Sequence, residues 1–164
     1  MSFIYSTTWE DELLYLSSLK YTFEDENERL IYLVEQAQEC NDLRVVKALL
    51  KALKNYQGGI EQTIYNALGT IDYHLYYTGV FQVARELFDS KRPQVVANIL
   101  HWISGDDLDE KEYREIFLLI DQYLTIEDVK KYIKVIEDYG YADDEPYSKF
   151  LTYFKSKVKG VIHG

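Results

Sequence analysis

Four acids stand within five residues of the segment "ISGDDLDEKEYREIF" (103–117): Asp106, Asp107, Asp109 and Glu110. Oxygen ligands at this density raise calcium binding first. An EF-hand loop places oxygens at its first, third, fifth and twelfth positions and glycine at its sixth. Counted from Asp107, Asp109 falls third, but Lys111 falls fifth and Glu112 sixth. Counted from Asp106, the third position is Leu108. Neither register fits, and Asp109 has simpler work: with Glu112 it has the spacing of a capping box that starts a helix. No metal is expected here.

The other reactive side chains are scattered. His74, His101 and His163 share no metal-ligand spacing. His101, beside Trp102, suits the end of a helix. His74 lies in the aromatic run "YHLYY" with no nucleophile or carboxylate that the sequence can place beside it. Cys40 is the sole cysteine, so it forms no internal disulfide and no cysteine-based zinc site. It closes a predicted helix, away from the helix N-terminus that would lower its pKa. No phosphate-binding loop, dinucleotide fingerprint, nucleophile elbow or metallohydrolase motif is present. The sequence therefore gives no reason to expect an enzyme or a cofactor.

The elements that carry these residues are helices. Apolar residues recur at helical spacing in Leu30, Leu33, Val34 and Ala37, in Leu43, Val46, Leu50 and Leu53, and in Val96, Ile99, Leu100 and Ile103. The pattern repeats in Tyr113, Ile116, Phe117, Ile120 and Leu124, in Ile126, Val129, Ile133 and Ile136, and in Tyr147, Phe150, Leu151, Phe154 and Val158. Start signals divide the stripes: Thr8, Asp25 with Glu28, Asp42, Gly58-Gly59, Thr78, Pro93, Asp109, Thr125 and Pro146. Gly140 stops the helix begun at Thr125. The segment 71–77, "IDYHLYY", is β-friendly and reads as a short helix or an extended link.

About nine helices result. Paired steps between their starts span roughly 33 to 36 residues, the size of one helix–turn–helix unit in an α-solenoid. Short loops make neighbours antiparallel. The expected architecture is one all-α domain, residues 1–164, of antiparallel helices stacked as HEAT-like solenoid hairpins. A compact helical bundle is the alternative.

The net charge of −10 disfavours a surface for phosphate backbone and favours a basic partner. The charge comes in blocks: residues 1–42 hold ten acids and two bases, and 106–128 nine acids and two bases. Arg44, Lys47, Lys51 and Lys54 form a basic ladder on one helix face. It reads either as an anion- or partner-binding ridge or, as we favour, as partners for Glu35 and Glu39. The 16 tyrosines suit protein contacts, and "YGYADDEPY" (139–147) places several beside Asp143, Asp144 and Glu145. No apolar run reaches the roughly 20 residues that cross a bilayer. The N-terminal "MSFIYSTTWEDELL" has no basic region or small-residue cleavage site. A cytoplasmic protein is the expectation.

The segment "FQVARELFDSKRPQVVANILHWISGDDLDEKEYREIFLLI" (81–120) resembles HEAT-like helical immunity proteins of bacterial polymorphic-toxin systems. The shared pattern is a helix, a proline-led helix (Pro93 to Ile99 and Leu100), a polar loop at 104–109, and a helix with an apolar face around Phe117. The chain departs from it at Val95-Val96, where the family often has Trp, and at His101 to Gly105, where the family often has Arg and Asn. The resemblance implies a protein that neutralises a basic cognate toxin, such as a nuclease, by binding it. The expected contact residues are Asp106, Asp107, Glu110, Tyr141, Asp143, Asp144 and Glu145. The alternative function is a helical-repeat adaptor that binds a protein without inhibiting it.

Overall fold

The computed structural model describes residues 3–20, 22–55, 59–102, 108–140 and 142–163. Among them there are ten α-helices and no strand, so the fold is all-α. No described helix is long and apolar enough to cross a membrane. The chain divides into two compact units, Met1–Gly79 and Val80–Gly164.

The first unit contains α1 (Thr7–Ser18), α2 (Glu24–Gln36), α3 (Leu43–Ala52), α4 (Gly59–Gly69) and most of α5 (Tyr73–Gln82). Helix α1 packs on α2 and α3, and α4 packs on α2 and α3. The core is the apolar stripe of each helix: Leu13, Leu30, Leu33, Val34, Val45, Val46, Leu49 and Leu50 are all buried. The Trp9 indole N–H donates to the Leu33 carbonyl at 3.0 Å, which fixes α1 on the last turns of α2. Gly79 lets α5 approach α3 closely, because a Cβ there would lie 2.6 Å from Val46 Cγ1.

The second unit contains α6 (Ala84–Ser90), α7 (Pro93–Ile99), α8 (Glu110–Tyr123), α9 (Ile126–Tyr139) and α10 (Tyr147–His163). Helix α7 packs on α6 and α9, and α9 packs on α10. Tyr132 lies at the centre of an aromatic cluster. Phe81 and Phe88 meet its ring at an angle, and Phe154 lies nearly parallel to it at 5.5 Å.

Most start signals act as their chemistry dictates. The Asp42 carboxylate accepts from Arg44 N, and Pro93 opens α7. Thr125 and Asp128 exchange the two bonds of a capping box. Gly140 closes α9, donating its N–H to Ile136 and Val135. Three expectations are corrected. Ser6 rather than Thr8 caps α1, accepting from Trp9 N. Helix α2 begins after Phe23, whose N–H donates to Glu26, so Asp25 and Glu28 lie inside the helix; phenylalanine has no acceptor to return the bond. Thr78 is no cap: it is buried within α5 and donates its hydroxyl to the His74 carbonyl one turn back. The cap of α5 is Asp72, which accepts from His74 N and Leu75 N, so of the two readings of 71–77, short helix or extended link, the helix holds from Tyr73 on. Gly58 lies outside the described residues.

Candidate functional site

Helix α8 starts firmly. Asp109 accepts from Glu112 N at 2.8 Å while the Glu112 carboxylate accepts from Asp109 N at 3.1 Å. Helix α10 starts at Pro146, whose carbonyl accepts from Phe150 N. Both helices bury one stripe: Tyr113, Ile116 and Ile120 on α8, Tyr147, Phe150 and Phe154 on α10. Where the stripes leave the core, side chains of α8 and α10 meet directly. Phe117 stacks on Tyr153 with ring centroids 4.2 Å apart and planes 3° from parallel. The Tyr153 hydroxyl donates to both oxygens of Asp121, at 2.7 and 2.8 Å, and Lys157 pairs with the same carboxylate.

Beside this seam lies a groove of about 540 Å³. Tyr113, Phe117 and Tyr153 give it an aromatic lining, Ser148, Thr152 and Ser156 add hydroxyls, and Glu110, Arg114, Glu145 and Lys149 are its charged residues. The acids stand at the end where both helices begin, one before the first turn of α10 and one at the first residue of α8. Such acids are stabilised by the positive helix ends. Lys149 leans across the groove. Its ammonium sits 5.3 Å from the Tyr113 ring centre and 3.9 Å from the Glu145 carboxylate. Among the described residues, the side chains of Glu110 and Arg114 have no hydrogen-bond or ion-pair partner.

The tyrosines here are not poised as bases. Burial, with the nearby Glu145 charge, pushes the Tyr113 phenol up to about 12. Burial and the bond to Asp121 raise Tyr153 further. Asp121 moves the other way: burial works against its ionised form, but the bonds from Lys157 and Tyr153 outweigh it and lower its pKa.

Of the contact residues expected from sequence, Glu110 and Glu145 line this one groove. Asp143 and Asp144 are exposed on the turn before α10 and do not line it; the Asp144 carbonyl accepts from Ser148 N. Asp106, Asp107 and Tyr141 lie outside the described residues. The sequence reading missed the aromatic half of the site. Phe117 was placed in the core stripe of α8, yet it is only half-buried and turns to Tyr153. The available signal was weak: Phe117 is the eighth residue of α8 and Tyr153 the seventh of α10, both about two turns into their helices.

Elsewhere the reactive groups stay apart. Among the described residues no group of three His, Cys, Asp or Glu side chains is set to hold a metal ion. His74 is exposed at the start of α5, and His101 presents its ring to Tyr147 at 6.3 Å. Cys40 is half-buried against the Phe3 carbonyl, and burial with the Asp42 charge raises its thiol pKa. The basic ladder is engaged differently from the expectation. Arg44 pairs with Asp42 and covers the Tyr5 ring, and Lys54 donates to the Leu19 carbonyl, rather than to Glu35 or Glu39. No family model, curated protein or solved structure matches the chain.

Proposed function

We propose that this chain works by binding another protein, as a cytoplasmic immunity protein that neutralises a basic cognate toxin. The observation that carries the reading is the groove between α8 and α10, where Glu110 and Glu145 flank the buried Tyr113 and half-buried Phe117 and Tyr153 rings. Aromatic area with a polar rim is the composition of protein contacts, and acids at its mouth favour a basic partner through faster association. Many exposed acids around the same end, including Asp143 and Asp144, extend the negative field.

The test is to co-express the chain with the product of the adjacent gene and score both growth and co-purification. Rescue of growth with a one-to-one complex is expected. A complex without rescue would assign the chain to the non-inhibitory adaptors. Neither complex nor rescue would overturn the proposal for that pair.

A further inference from the structure

Lys149 occupies the groove as a partner's cation would: over an aromatic face and beside a carboxylate. Resting on the protein-binding reading, we propose that the groove between α8 and α10 receives an arginine side chain of the partner, which displaces Lys149 from Tyr113 and Glu145. The chemistry favours arginine over lysine. A planar guanidinium stacks on rings and forks to carboxylates, whereas an ammonium is a compact, strongly hydrated charge. Glu110, which has no partner among the described residues, and Glu145, released from Lys149, supply the carboxylates. The groove has the room, at about 540 Å³, for a side chain and its flanking backbone. Arg114 also faces the groove and competes for Glu110 one turn along α8, and two helix N-termini weaken the field of the acids. The aromatic faces therefore supply part of the attraction, and charge alone does not suffice.

The probe is a short blocked peptide carrying arginines, with its lysine and citrulline counterparts, titrated against the full chain by fluorescence anisotropy at low salt. Arginine binds best, and citrulline, equal in shape but uncharged, does not bind. Lys149→Met removes the competing ammonium and tightens arginine binding about fivefold. Glu110→Gln with Glu145→Gln weakens it about tenfold. All three positions are exposed or half-buried, and unchanged thermal melts will show that the variants fold. Equal binding of citrulline, or no gain in Lys149→Met, overturns the arginine slot. Growth rescue by the chain alongside either of those outcomes leaves the protein-binding reading standing. Arginine selectivity without any rescue supports the slot and rejects the toxin.

Discussion

Phe117 and Tyr153 stack face to face across α8 and α10, with ring centroids 4.2 Å apart. They lie 36 residues apart in sequence, as do Asp121 and Lys157, which form an ion pair one turn further along. Successive contacts that keep one offset mean that the two helices run parallel and in register. The register is held by a ring stack, a phenol–carboxylate bond and an ion pair, all at a half-open surface.

The stack is expected to be coupled. A double-mutant cycle of Phe117→Leu and Tyr153→Leu, read by urea unfolding, should give an interaction of about 0.5–1.5 kcal/mol. Tyr153→Phe keeps the ring and removes only the bond to Asp121, and should cost about 0.5–1.5 kcal/mol. Additive single variants would show that the rings merely lie near one another.

Gly79 is the second constraint. A Cβ at this position meets Val46 Cγ1 at 2.6 Å, and Val46 is fully buried, so nothing flexible can move aside. Gly79→Ala should destabilise the chain by about 1–3 kcal/mol. Adding Val46→Ala should return part of that loss, since the clash is with its methyl. If Gly79→Ala is neutral in thermal unfolding, the contact between α3 and α5 is looser than the structure describes.

Tyr132 makes the opposite prediction. Its ring is fully buried among Phe81, Phe88 and Phe154, and its hydroxyl has no hydrogen-bond partner among the described residues. An unsatisfied buried hydroxyl costs about 1–3 kcal/mol, so Tyr132→Phe should be neutral or stabilise by about 1 kcal/mol. A marked loss of stability in chemical denaturation would mean that the hydroxyl is hydrogen-bonded after all, to a buried water.

Much of this was legible because local chemistry decides it. Asp42, Pro93, Asp109 with Glu112, Thr125 and Gly140 each have one good local use, and each is used that way. Thr78 misled because a threonine hydroxyl serves equally as a cap or as a donor to the preceding turn, and tertiary burial chose the second. The run at 73–77 was legible only as two alternatives, because β-friendly aromatics go helical once Asp72 caps them and Tyr76 and Tyr77 find a core. The acidic half of the site was visible as charge blocks around Glu110 and Glu145. The aromatic half was hidden, since Phe117 fits its helix's apolar stripe and only the packing of α10 reveals that it stands at the stripe's edge.

Alkaline titration tests the site's electrostatics directly. Burial raises four phenols, Tyr65, Tyr113, Tyr132 and Tyr153, above the ordinary value of 10.0. A folded-state pKa above the unfolded one means that the fold favours the neutral phenol. The stability it contributes is complete below pH 10.0 and is lost as pH rises through the folded values. Phenolate absorbance should therefore show these four phenols ionising above pH 10.0. Among them, Tyr113 is raised to about 12 first by burial and then by the charge of Glu145. Glu145→Gln removes the second cause alone, so Tyr113 should titrate earlier while Tyr65, which Glu61 rather than Glu145 influences, stays where it is. Because the Tyr113 phenol is then easier to ionise in the folded state, the loss of stability from that group, which begins near pH 10.0, should be smaller and be complete at a lower pH. A Tyr113 titration that ignores Glu145→Gln would mean that the carboxylate points away from the ring in solution, and with it the Lys149 bridge that spans the groove.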